Sequence, residues 1–147
     1  MRLFCPICRE NLPADSLTCA NGHTFSRTSD SIPNVLPPEL ASRLEAIARH
    51  RDRVRAGLPT IADYDGLPYN MAHTSFEWRG RAQSADIVLR YIQQYQPKTI
   101  LEIGGWNGWL THLMAKSASV LAVDFFADNV DGLGAMRHYP AQWARLQ

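Results

Sequence analysis

A chain of 147 residues, 46% apolar and 20% charged, has the composition of a folded protein large enough for one ordinary domain plus a small module, and excludes the charge-rich balance of disorder. Its formal charge of +1 gives no basic footprint of the kind a nonspecific nucleic-acid clamp needs. No apolar run approaches the ~18 residues that span a bilayer, and the start, MRLFCP, lacks the apolar stretch of a secretory signal; a cytoplasmic protein with no membrane partner is expected.

The first motif pairs CPIC with CANGH. Cys5 and Cys8 bracket one short turn, Cys19 and His23 bracket another, and RENLPADSLT separates them. Three cysteines cannot all pair as disulfides, so metal ligation is the better reading in a reducing compartment. Zinc takes four such ligands in a tetrahedron, and a full set of protein ligands leaves no open position for metal chemistry, so the role is structural. Pro13-Ala14-Asp15 reads as a turn and Ser16-Leu17-Thr18 as a short returning strand, with Gly22 suiting the bend before His23. Such a module has little core, whereas structural zinc contributes on the order of 10–16 kcal/mol. The bland alternative is a set of buried free thiols beside a surface histidine.

SIPNVLPP reads as a proline-rich connector. Beyond it, ELASRLEAIARHRDRVRAGL places Leu40, Leu44, Ile47 and Val54 at helical spacing, with Pro38 in the first turn and Gly57 and Pro59 as the stop. Arg43, Arg49, Arg51, Arg53 and Arg55 read as a solvated face in preference to an RNA stripe. The next stretch, up to about Arg81, shows no period. It is either a lid over a pocket or a connecting loop anchored by Tyr64, Tyr69, Phe76 and Trp78. A second helix is predicted from about Arg81 to Tyr95, with Ala85, Val88, Ile92 and Tyr95 on one face and Pro97 closing it.

TILEI then predicts a buried parallel strand, Gly104 to Gly108 a turn, WLTHLMAKSA a helix with Leu110, Leu113 and Met114 toward the sheet, and SVLAVDFF a second strand. Strand, glycine turn, helix, strand is half of a doubly wound nucleotide fold. A dinucleotide fingerprint laid from Gly104 meets Trp106 and Trp109 where glycines belong, which disfavours an NAD-dependent oxidoreductase; a P-loop is absent. A tight turn with no ligand is the alternative reading of these glycines.

LEIGGWNG resembles motif I of the seven-stranded S-adenosylmethionine-dependent methyltransferases, with Glu102, Gly104 and Gly108 matching and Trp106 replacing the middle glycine. VLAVDFF is similar to that family's second strand, ending in Asp124. The resemblance implies that Gly104, Gly105, Asn107 and Gly108 form the cofactor turn, that Glu102 orients the turn or the methionine end, and that Asp124 accepts from the ribose hydroxyls. Trp106 is the departure, because a residue with a Cβ resists positive φ; Asn107 beside it tolerates that geometry better. The order of parts resembles the bacterial zinc-ribbon methyltransferases, a group that includes ribosomal-RNA guanine methyltransferases, in which the ribbon resembles an RNA-engaging module.

The implied fold class is α/β, with a zinc ribbon over 1–36, a helical linker region over 37–97 and a partial, incomplete Rossmann-like methyltransferase domain over 98–147. Structural Zn2+ and S-adenosylmethionine are the expected cofactors. No motif names the methyl acceptor, RNA or a small molecule, and no catalytic residue is assignable. The stretch after Asp124 suits a loop and a short helix rather than further strands, so a truncated chain, or one needing a partner, inactive alone, is expected. Its incomplete sheet would call for extra packing, self-association or low stability. The competing reading is a noncatalytic zinc-ribbon adaptor that binds RNA or protein.

Overall fold

A computed structural model describes residues 2–40, 43, 44, 47, 59–129 and 132–139, and the backbone of 144–146. The chain mixes helix and strand and divides into two compact units, Met1–Gly57 with Leu146–Gln147, and Leu58–Arg145. Among the described residues no helix is long and apolar enough to cross a membrane.

The first unit is built from short hairpins. Strand β1 (Leu3–Phe4) pairs antiparallel with β2 (Asn11–Leu12), Leu3 opposite Leu12, so that the CPIC turn becomes the tip of a hairpin. The expected strand over 16–18 shrinks to a single bridge between Thr18 and Thr24, because Leu17 sits at φ 52 and breaks the extended run. A second hairpin, β3 (Ser26–Arg27) with β4 (Pro33–Asn34), occupies part of what the sequence suggested was a connector. The core is small and contains two of the thiols: Cys5, Leu12, Leu17 and Cys19 are buried, with Leu3, Phe25 and Val35 packed against them. Pro38–Leu40 forms a 3-10 turn, and Arg43, Leu44 and Ile47 are helical. Val54, Gly57 and the arginines at 49, 51, 53 and 55 lie outside the described residues.

In the second unit the unpatterned stretch folds as two 3-10 helices, Ile61–Gly66 and Tyr69–Met71. Asp63 caps the first by accepting from the Thr60 backbone N–H at 2.8 Å. Two of its four expected anchors hold: Tyr64 and Trp78 are buried, whereas Phe76 is 82% exposed and Tyr69 faces outward. Helix α1 (Phe76–Tyr95) starts one turn earlier than the apolar period suggests, because Ser75 caps it by accepting from the Trp78 N–H. It ends at Gln96 in left-handed geometry, just before Pro97. Its buried side is Trp78, Ala82, Ala85 and Ile92; Tyr95, expected on that face, is 67% exposed and stacks on Tyr91 one turn back.

Strand β5 (Thr99–Ile103) and strand β6 (Ser119–Val123) run parallel, Thr99 opposite Ser119 and Ile103 opposite Val123, joined through helix α2 (Trp109–Ala115). The backbone of Ala144–Leu146, β7, pairs on the far side of β6, giving the order β5-β6-β7. That third strand was not expected from the sequence. Ile92 of α1, Met114 of α2 and Val120 of β6 are buried together, with Ile100 and Leu110 against them, so both helices lie on one face. The other face is open along β5, where Leu101 is 60% and Ile103 81% exposed although Leu121 and Val123 of β6 are half-buried, which corrects the reading of TILEI as buried on both sides. β5 is also an edge strand, and its apolar alternation serves one covered face only.

This asymmetry predicts the cost of truncation. Ile92→Ala should lower stability by about 2–5 kcal/mol, whereas Ile103→Ala should change it by about 0.5 kcal/mol or less, read from urea midpoints. Equal losses would contradict the placement of the core.

Candidate metal cluster and glycine turn

Each hairpin tip contributes a pair of metal-type ligands. The CPIC turn is closed by the Arg9 N–H on the Cys5 carbonyl and the Cys5 N–H on the Glu10 carbonyl, both at 2.8 Å, with Arg9 at φ 65. The CANGH turn is closed by the Gly22 N–H on the Cys19 carbonyl at 2.9 Å, with Gly22 at φ +80. The ligand atoms converge. Cys5 Sγ lies 3.6 Å and Cys19 Sγ 3.5 Å from His23 Nδ1, Cys8 Sγ lies 3.6 Å from Cys19 Sγ, and all four atoms fall within 4.8 Å of one another. Zinc bonds of about 2.3 Å to sulfur and 2.0–2.1 Å to nitrogen place tetrahedral ligands about 3.5–3.8 Å apart. The four residues can therefore hold a metal ion, and their spacing is compatible with zinc.

Hydrogen bonding to the Glu10 backbone, with smaller contributions from Asn21, His23 and Cys5, pulls the Cys8 thiol down to about 6 against its own desolvation. Burial pushes Cys19 up. One of the four thus favours the thiolate form near neutral pH, and another would have to lose its proton for a metal to bind.

The glycine turn follows β5. Val123, the last residue of β6, accepts the N–H of Gly104 at 2.8 Å and of Gly105 at 3.3 Å, and Gly108 donates to the Gly105 carbonyl. Asp124 comes next in the chain. Its Oδ2 accepts the Trp106 N–H at 2.8 Å and its Oδ1 accepts the Phe126 N–H at 3.0 Å. The positions singled out in the sequence, Glu102, Gly104, Gly105, Asn107, Gly108 and Asp124, therefore meet at one end of the parallel pair.

The departure from glycine carries the strain anticipated for it. Trp106 sits at φ 48, and Asn107 does not take over that conformation. Packing holds the indole: its ring lies 6.0 Å from that of Trp78, and the Arg81 guanidinium stands 4.5 Å from the Trp78 ring centre and 5.0 Å from that of Trp106. Asn107 is fully buried; its Oδ1 accepts from the Trp109 N–H at 3.4 Å, while its Nδ2 has no hydrogen-bond partner among the described residues.

Three participants were not legible in the sequence. The hydroxyl of Thr111, on α2, donates to Glu102 Oε2. His112 stacks on Tyr139 at 4.8 Å, and burial pushes its pKa down. Met136 belongs to the 3-10 helix Leu133–His138 and is buried. A methyl group added at Gly108 would overlap Met136 Cγ, and one added at Gly105 would meet Met136 Cε at 3.3 Å. Gly104, at φ +79, has nothing within 4 Å on that side. The chain matches no protein-family model, and no curated protein is significantly similar to it.

Two outcomes follow. The zinc-loaded chain should carry equimolar metal, and Cys19→Ser should reduce it to near zero, measured by atomic absorption after gel filtration; full retention would contradict the ligand set. Desolvation raises Glu102 from the ordinary 4.5 to about 7, aided by the nearby Asp124 charge and opposed by the Thr111 hydroxyl. With the folded value above the unfolded one, the stability this group lends is complete below the ordinary pKa and is lost as pH rises through about 7. Glu102→Gln should therefore raise the melting temperature at pH 8 and leave it nearly unchanged at pH 4; a larger gain at pH 4 would contradict the raised pKa.

Proposed function

We propose that the chain combines a zinc-stabilised ribbon with the cofactor-side half of an S-adenosylmethionine-dependent methyltransferase. The observation that carries this reading is the carboxylate at the end of β6 closing the glycine bend after β5. The parallel pairing of β5 and β6 across helix α2 supports it, since that is the unit from which a doubly wound sheet is built. In this reading Asp124 accepts the ribose hydroxyls with the lone pairs its backbone donors leave unused.

The zinc fits its residues. Cys5, Cys8, Cys19 and His23 hold it, and it fastens two turns that have almost no core to fasten them otherwise. The adenosyl group fits only in part. Gly104 offers an open approach, but Met136 fills the space beside Gly108, and Ala122 and Met136 wall that beside Gly105.

The same filled turn favours a second reading, a noncatalytic zinc-ribbon adaptor whose parallel pair is a scaffold. Calorimetry separates the two. Titrating S-adenosylhomocysteine into the zinc-loaded chain should give saturable binding that Asp124→Ala abolishes while the fold persists by melting; heat of dilution alone up to millimolar ligand favours the adaptor.

A further inference from the structure

The mismatch between the adenosyl reading and the filled turn has a specific source. Glycines in a ligand-binding turn leave their side-chain positions empty so that a ligand can approach the backbone. Of the three in this turn, Gly104 faces open space, Gly108 faces the thioether of Met136, and Gly105 faces the Ala122 Cβ at 3.2 Å as well as Met136 Cε at 3.3 Å. Met136 arrives on a short, tightly folded segment. The Leu133 N–H donates to the Phe126 carbonyl at 3.0 Å, and a side chain at Gly132 would collide with the Phe126 and Asp128 backbone at 2.7 Å. The segment therefore returns to the loop that starts at Asp124, beside the turn it covers.

Two features make this filling exchangeable. Methionine is unbranched and flexible, a side chain that fills a gap without a fixed shape of its own. The same turn holds Asn107, whose Nδ2 is fully buried with no partner among the described residues, a donor whose pairing would favour a rearranged turn. A closed state with an unpaired buried donor is poorer than one in which that donor is used.

The geometry points to a built-in plug: residues 132–139 seat Met136 against Gly108, and an adenosyl ligand enters by displacing it. The inference rests on the adenosyl reading of the turn and adds its regulation. Because only the unplugged fraction binds, the plug lowers apparent affinity by that fraction.

The test uses the full zinc-loaded chain and S-adenosylhomocysteine. Met136→Ala should bind at least about tenfold tighter than wild type by calorimetry, the gain expected when a plug closed in about nine molecules of ten is removed. In wild-type protein labelled with 13C-methyl methionine, ligand should move the Met136 methyl resonance and leave that of Met114, buried with Ile92 and Val120, in place. Should Met136→Ala melt below the assay temperature, the wild-type methyl spectrum decides alone. Equal affinities with an unmoved Met136 methyl overturn the plug and leave the adenosyl site standing. Absence of binding by both proteins overturns the adenosyl reading and the plug with it.

Discussion

The carboxylate of Asp124 accepts the Trp106 N–H at 2.8 Å and the Phe126 N–H at 3.0 Å, so that the loop leaving β5 and the loop leaving β6 are fastened to one side chain. Charge-assisted bonds of this kind are stronger than neutral ones, and here they oppose a specific cost. Trp106 at φ 48 occupies a conformation that costs a residue with a Cβ about 1–2 kcal/mol. The tie to Asp124 and the packing of the indole against Trp78 and Arg81 hold that strain in place. With the turn fixed, Gly108 presents its bare side to Met136 and Gly105 to Ala122 and Met136, and Glu102 lies against the same turn, where burial and the Asp124 charge raise its pKa.

The first unit solves a different problem. Its strands are two residues long, and its buried cluster includes the ligand thiols Cys5 and Cys19. The convergence of four potential ligand atoms within 4.8 Å would let a metal ion cross-link it.

Legibility in the sequence followed the range of the forces. Both ligand pairs were readable because each sits within one turn, where spacing alone fixes direction. The β5, α2, β6 succession was readable from its apolar runs and glycine punctuation. The start of α1 was missed because the Ser75 cap outweighs the apolar period that begins later. The β3 and β4 hairpin was missed because prolines at 33 and 37 read as a linker, although Pro33 stands on a strand opposite Arg27. The Thr111 bond to Glu102 joins a helix to a strand across the glycine turn, and the seat of Met136 against Gly108 joins residues far apart in sequence; no local pattern announces either. The bare face of β5 was misread for a related reason: an apolar strand shows that it can be covered, and the fold decides on how many sides.

The fastening of both loops by Asp124 is tested most directly by amide hydrogen exchange, followed residue by residue in the zinc-loaded chain. The account predicts that the Trp106 and Phe126 amides exchange as slowly as those of the β5 and β6 ladder, and that Asp124→Ala releases both together. Exchange at unstructured rates in the unsubstituted chain, or release of one without the other, would contradict it.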